Sequence, residues 1–384
     1  MEQSPLQPTP VGAFRFNTDS IKLEYYDGNQ WVNVTSTSPE AQTGGTRGLF
    51  AGGLDPGNSD VIDYVNLDSI GNTTDFGDIT EARQAMGGCA SRTRSLNLGG
   101  YTSSFENEIE YVTFASTGDA QDFGDLTEAR QAMGGCASRT RALQLGGYTS
   151  SFEDVIDYED IATTGNATDF GNLTVARNRG SGVSNQIRGI LGGGNIPGGS
   201  SDVLDYVSIS ATGNAVDFGN LTAGRQSLES FGSSTRGVFT GGYIEPNYTN
   251  IIDYITIATT GNAADFGDQT VARIYGGSFS NSIRGITGGG QGAPSGNQLT
   301  TIDYNTIASL GNAVDFGDMT SARRDVAGAS SPTRGVFCGG DTPTLVNTID
   351  YIQIMTTGNA VDFGDQSVTR DRVSGTSNGH GGLG

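Results

Sequence analysis

Apolar and polar residues alternate in short runs along the whole chain, roughly four to eight residues at a time, with no helical periodicity between them. Arg141–Gly147 reads RALQLGG and Val155–Ala162 reads VIDYEDIA. Such runs are bounded by Gly, Asn, Asp and Thr, the residues that make tight turns. The pattern predicts short β-strands joined by turns. In 11–34, Phe14 and Phe16 alternate with polar residues, then Ile21, Leu23 and Tyr25 do the same, and Trp31-Val32-Asn33-Val34 closes the segment. Turn residues at Asn17-Thr18-Asp19 and Asp27-Gly28-Asn29 separate the three runs, which predicts a small β-meander.

From residue 45 the pattern repeats. The stretch Gly118–Arg130, GDAQDFGDLTEAR, has seven versions, each preceded by an (I/L)(D/E)Y triplet and, before that, by an Arg-led strand ending in Gly-Gly. The triplet tyrosines are Tyr64, Tyr111, Tyr158, Tyr206, Tyr254, Tyr304 and Tyr351, spaced by 47, 47, 48, 48, 50 and 47 residues. One unit predicts four strands: Arg130–Ser138, Arg141–Gly147, Val155–Ala162 and Ala167–Leu173. Four short strands at this period make one blade of a β-propeller.

The loop between the second and third strands holds 8, 8, 8, 9, 9, 11 and 8 residues, and subtracting it from each full tyrosine spacing leaves 39 every time. All length variation therefore lies in that loop, on the face where the connection to the next unit also emerges. The first unit begins at Gly45-Thr46-Arg47 without a first strand, and the chain ends on RDRVSGTSN (370–378), which matches the first strands of other units. The expected fold is all-β: a seven-bladed propeller over 45–378, its ring closed by the C-terminal strand completing the first blade. Before it come an extended arm (1–10), the meander (11–34) and a linker (35–44); after it comes a Gly-rich tail (379–384).

Charge narrows the function. Of 384 residues, 42 are acidic and 21 basic, a net charge of −21. Nucleic acid and anionic membrane surfaces are therefore disfavoured partners. No apolar run approaches the roughly 20 residues of a membrane span. The N-terminus MEQSPLQPTP lacks the features of a secretory signal. Lys22 is the single lysine. Fourteen of the twenty arginines fall in two repeat rows, Arg47, Arg94, Arg141, Arg188, Arg236, Arg284, Arg334 and Arg83, Arg130, Arg177, Arg225, Arg273, Arg323, Arg370. Equal numbers of carboxylates match them, so the rows read as salt bridges between blades, with an anion-binding ring as the alternative.

In each DFG segment an Asp precedes the Phe and an Asp or Asn follows the Gly, as at Asp122 and Asp125. One reading pairs one carboxylate with a repeat arginine and uses the other to cap a turn; the other reading is calcium ligation. Cys89, Cys136 and Cys338 give no disulfide or zinc spacing and read as buried apolar residues. The single histidine, His380, removes histidine-based catalysis and metal triads. Paired-carboxylate glycoside hydrolysis stays open in principle, with no pair singled out. The chain reads as a binding or structural protein, not an enzyme, with no cofactor or metal. Its candidate binding residues lie in the variable loops: Tyr101, Phe105, Tyr148, Phe152, Asn195, Tyr243, Asn247 and Tyr248.

Two resemblances extend this reading. Gly12, Arg15, Phe16, Asn17, Thr18, Leu23, Glu24, Tyr26, Gly28 and Trp31 resemble a short segment found near the N-termini of tailed-phage fibre and other virion proteins. That resemblance implies a virion-attachment module, with Phe14, Phe16, Tyr25, Tyr26 and Trp31 as its contact residues. The Gly-Gly after strand two, the Tyr of strand three and the Arg opening the next unit resemble the kelch family. Phe76, Phe123, Phe170, Phe218, Phe266, Phe316 and Phe363 stand where kelch units carry Trp. The wording of the repeats looks more specifically like repeat proteins of marine tailed phages. The resemblances imply a tail-fibre or receptor-binding component that recognises host-surface glycan or protein as a homo-oligomer. Capsid decoration, a tail-surface role and a free interaction scaffold are the alternatives.

Overall fold

The computed structural model describes residues 9–17, 22–33, 45–294 and 296–379. The expected linker, the tail with His380 and most of the N-terminal arm lie outside them. The chain divides into two units, 1–41 and 42–384.

The smaller unit is the expected antiparallel meander, Phe14–Asn17, Lys22–Tyr26 and Trp31–Asn33. Its register sets Phe14 opposite Tyr25 and Phe16 opposite Leu23, so strand alternation collects these four on one face. All four are exposed. Arg15 shares the other face, where it pairs with Glu24 at 2.8 Å and lies 4.3 Å over the Trp31 ring.

The larger unit is all-β, with seven four-stranded antiparallel sheets among the described residues, an arrangement compatible with a β-propeller. The third sheet is typical: Gly134–Ala137, Arg141–Tyr148, Phe152–Asp160 and Thr168–Asn172. Its first strand is shorter than the sequence predicts, because Gln131 and Ala132 turn away to another task. The first sheet takes Ser374–Ser377 from the C-terminus, which pairs antiparallel with Arg47–Ala51. The first strands of successive sheets lie against one another, and Ser374–Ser377 lies against Gly87–Ala90.

Each sheet is covered on both faces by its neighbours. The second strands are therefore buried on both sides and read as nearly continuous apolar runs, such as Gly189–Gly192 after Arg188. Buried clusters span the junctions. Leu143, Ile156 and Phe170 of the third sheet pack with Leu191, Val207 and Ile209 of the fourth, whose strands are Ser181–Ser184, Arg188–Gly192, Val203–Ser208 and Val216–Asn220. Val336 and Phe363 of the seventh sheet likewise share a cluster with Phe50, Val65 and Leu67 of the first. The repeat phenylalanines are 2–3% exposed, and burial of each contributes roughly 1.5–3 kcal/mol.

Each phenylalanine meets its triplet tyrosine edge to face at 5.7–6.0 Å. The arginine at the start of strand two lies 4.2–4.9 Å over the same tyrosine. It also donates to a backbone carbonyl of the following sheet, as Arg141 does to Ile209 at 3.0 Å and Arg334 to Leu67 at 3.0 Å. The first arginine row is therefore a set of cation–π and carbonyl clamps, and the expectation of salt bridges between blades there is corrected; among the described residues, Arg141 alone in the row also pairs, with Asp160 of its own sheet at 3.1 Å.

The second row does form the salt bridges, with a partner other than expected. Arg83, Arg130, Arg177, Arg225, Arg273, Arg323 and Arg370 are fully buried. They pair at 2.6–3.1 Å with Glu110, Asp157, Asp205, Asp253, Asp303, Asp350 and Asp63, the middle residues of the next sheet's triplet. A β-bulge immediately before each of these acids breaks the strand alternation. The Thr after the DFG segment satisfies the same carboxylate, with Thr127 donating through its backbone N–H at 3.1 Å and its hydroxyl at 2.6 Å to Asp157.

The Asp of the DFG segment does not pair with the arginine. Asp75, Asp169, Asp217, Asp265, Asp315 and Asp362 are exposed and accept from the N–H of their own DFG glycine at 2.9–3.0 Å. No group of three or more His, Cys, Asp or Glu able to hold a metal occurs among the described residues. The DFG glycine itself sits at φ near +140°, and a Cβ on Gly171 would come within 2.6 Å of the backbone of Gly213 in the next sheet. That close approach carries a backbone hydrogen bond from Gly213 to Phe170 at 2.7 Å.

One core position departs from the repeat. Glu159 stands where other sheets carry residues such as Val65, Val207 and Ile255, is 3% exposed, and has no hydrogen bond to either carboxylate oxygen. Burial pushes its pKa up to about 8. The raised folded-state value means the unfolded chain ionises first, so stability falls as pH rises from about 4.5 to about 8. Glu159→Val should raise the unfolding free energy measured in urea, by a few kcal/mol at pH 8.5 and by less at pH 4. Arg370→Ala should cost about 3–5 kcal/mol in urea unfolding by stranding Asp63, whereas Arg324→Ala, at a partly exposed pair, should cost about 1 kcal/mol or less.

Candidate functional site

The frame arginine is followed by two residues that vary: Gln84-Ala85, Gln131-Ala132, Asn178-Arg179, Gln226-Ser227, Ile274-Tyr275, Arg324-Asp325 and Asp371-Arg372. Their backbone is fixed by the frame. The second glycine of each Gly-Gly donates to the carbonyl of the frame arginine at 2.9–3.0 Å. A side chain at Gly146 would meet the Arg177 carbonyl at 2.4 Å, which is why that approach takes glycine. The first variable residue then forms a two-way backbone bridge with the residue after the Gly-Gly, as Gln131 does with Tyr148 and Asn178 with Asn195.

The second variable residue is held in the left-handed region, at φ +51° to +58°, in all seven units. None of the seven is glycine, although a side chain there costs roughly 1–2 kcal/mol. Hydrogen bonds between these residues link neighbouring units: Arg179 N–H to the Ala132 carbonyl, Ser227 to Arg179 (both 3.1 Å) and Asp325 to Tyr275 (2.8 Å). All seven line one cavity of about 970 Å³. A second cavity, of about 320 Å³, is lined by the first strands, including Cys89, Cys136 and Phe231. Burial pushes the Cys136 thiol up to about 12, and the three cysteines are free and buried.

The predicted loop residues divide. Tyr101, Tyr148, Phe152 and Asn195 line the larger cavity. Phe105 joins them through ring contacts, giving a continuous edge-to-face run: Tyr101–Phe105 at 5.7 Å, Phe105–Tyr148 at 5.9 Å and Tyr148–Phe152 at 5.6 Å. Tyr243, Asn247 and Tyr248 belong to a separate small hairpin, with the two tyrosine rings 5.9 Å apart, and are not among the lining residues. Of the attachment residues, Phe14, Phe16 and Tyr25 share the exposed face of the meander. Tyr26 and Trp31 contact each other at 5.5 Å near Arg15.

The sequence reading missed Arg179, Ser227, Tyr275, Asp325 and Arg372, because it assigned them to the invariant 39-residue frame. Variation alone did not single these positions out, because the first-strand residues that follow them also change from unit to unit.

Charge is uneven around the cavity. Arg324 pairs with Asp341 at 3.0 Å and stands 3.8 Å from Asp325, and Arg372 donates to Gln84 at 2.9 Å. Burial raises Asp325 and pushes the neighbouring Asp371 up to about 6, helped by the other two carboxylates. Burial also pushes Glu229 up to about 7; one of its oxygens accepts from Gly276 N–H at 2.8 Å, and the other has no partner. The arrangement offers cationic, amide and aromatic groups to a polar ligand.

No protein-family model matches the chain, and no curated protein matches it.

The left-handed backbone makes its own prediction. Ser227→Gly should raise the denaturant midpoint by about 0.5 kcal/mol, the relief of the side chain less glycine's entropy, while Ser227→Val should lower it by about 1 kcal/mol or more.

Proposed function

We propose that this chain is a virion component of a tailed phage. In this reading it is a kelch-like seven-bladed β-propeller, closed by its C-terminal strand and displayed through the N-terminal meander for recognition of a host-surface glycan or protein. One observation carries the recognition role. The left-handed position reads Ala, Ala, Arg, Ser, Tyr, Asp and Arg along the units, and all seven of these residues line one cavity. A purely architectural repeat has no reason to keep strained, non-glycine side chains at all seven of those positions.

Display is supported by the phage-like pattern of the meander and by its exposed Phe14, Phe16, Leu23 and Tyr25, an apolar face of the kind that marks an interaction site. A unit of three short strands has little core of its own and gains stability by docking. The alternatives, capsid decoration and a free scaffold, differ in where the chain is found and what it touches.

Mass spectrometry of washed, purified particles should detect the chain, and soluble chain should compete with particles for adsorption to host cells. Absence from particles ends the virion reading. Tyr148→Ala with Phe152→Ala should weaken competition about tenfold or more if the cavity is the contact.

A further inference from the structure

Six arginines lie outside the two frame rows: Arg15, Arg92, Arg139, Arg179, Arg324 and Arg372. Three of the six, Arg179, Arg324 and Arg372, line the larger cavity of a protein carrying a net charge of −21. Arg324 is occupied by its carboxylates. Arg372 spends one N–H on Gln84. Among the described residues, the Arg179 guanidinium has no hydrogen-bond or ion-pair partner.

The order of units places these groups. Along the succession of sheets, the left-handed residues run Arg372, Ala85, Ala132, Arg179. Two alanines leave space between two arginines. Beside them the lining carries Gln84, Gln131, Tyr101, Tyr148 and Phe152. Of the lining carboxylates Glu229 belongs to another unit, whereas Asp325, on the unit next to Arg372, and the neighbouring Asp371 lie within electrostatic reach of Arg372, so Arg179 is the freer cation. The set combines flat aromatic surface, primary amides and planar cationic forks.

We infer that this half of the cavity binds an acidic sugar unit of a polysaccharide, an inference that rests on the recognition role proposed above. The aromatic side chains take the apolar face of the ring. The glutamine amides pair with its hydroxyls. Arg179 and Arg372 take its carboxylate or sulfate, the planar acceptors and oxyanions that a guanidinium fork matches. The strongly acidic body opposes long polyanions that lie along the surface, so the site selects a chain that enters at one unit over nucleic acid.

The test measures binding of the full chain by calorimetry to an oligogalacturonate, a sulfated galactan oligosaccharide and a neutral galactan oligosaccharide of the same length, with poly-glutamate as a peptide control. An acidic oligosaccharide should bind at least about tenfold tighter than the neutral one, and its affinity should fall as salt rises from about 0.05 to about 0.5 M. Preference for the uronate or for the sulfated sugar identifies which anion is read. The double variant Arg179→Gly, Arg372→Gly should lose the preference while keeping the wild-type melting temperature or exceeding it, since glycine suits the left-handed backbone. Equal binding of acidic and neutral sugars, a preference that survives the double variant, or binding of poly-glutamate alone overturns the inference. Particle mass spectrometry separates the two claims. A chain present in particles that prefers neutral sugars sinks this inference alone; an acidic-sugar preference in a chain absent from particles sinks the virion reading alone.

Discussion

The buried ion pair between one sheet's trailing arginine and the next sheet's triplet carboxylate is the constraint on which the larger unit depends. Each pair has both side chains essentially out of solvent. Isolated burial of either charge would be prohibitive, so each charge depends on the position of its partner. The bulge re-aims the carboxylate, the Thr or Ser after the DFG segment supplies two donors, and the Gly-Gly lets another backbone approach the arginine's own carbonyl. Lysine could not replace the arginine, because one guanidinium reaches a carboxylate and backbone carbonyls together, as Arg370 does with Asp63, Phe50 and Gly52. Three separate-looking motifs, GG, IDY and AR, are thus one device.

A junction fixed so tightly explains why 39 residues of each unit never change in number. It also explains how strain is held at its edge. The left-handed residue lies two positions after the arginine, between a backbone bridge on one side and the start of the first strand on the other. Side chains there are presented from a backbone that the junction holds on both sides. The outer strands are constrained at one point, where the DFG glycine lies against the backbone of the next sheet, while the DFG aspartates accept from the N–H of their own glycine.

The four strands of each sheet, the all-β class and the pairing of the C-terminal Ser374–Ser377 with Arg47–Ala51 were legible in the sequence, because periodicity and matching end segments report them directly, whereas the short hairpins such as Tyr243–Ile244 with Asn247–Tyr248 were not. The partner of each buried arginine was not. A bulge moves the triplet Asp out of simple alternation, so counting residues pointed to the DFG aspartate instead. The aromatic residues were legible by type, but Tyr101, Phe105, Tyr148 and Phe152 stand at strand ends and not in a loop, because the second and third strands of these two sheets are longer than the repeat predicts. The left-handed positions were not legible, because φ is invisible wherever the residue is not glycine, and Ala85 or Arg179 signals nothing by itself. Comparison of one unit with the next shows only that those positions vary.

That comparison bears on the second and third sheets, whose sequences nearly coincide. Duplication alone explains why Gln84-Ala85 and Gln131-Ala132 match, and why Tyr101 and Phe105 recur as Tyr148 and Phe152. It does not by itself make the copies act together. The contact that joins them is Phe105 on Tyr148, a ring from one copy set against a ring from the next. A single copy has no such neighbour, and the fourth sheet breaks the run with Asn195 at the equivalent position. Placed side by side, the two units form one aromatic wall beside two small left-handed residues, bounded by an arginine at each end. Two near-identical units side by side therefore present an aromatic surface wider than either unit alone, and the proposed reading of a sugar chain over a lone anion rests on that width.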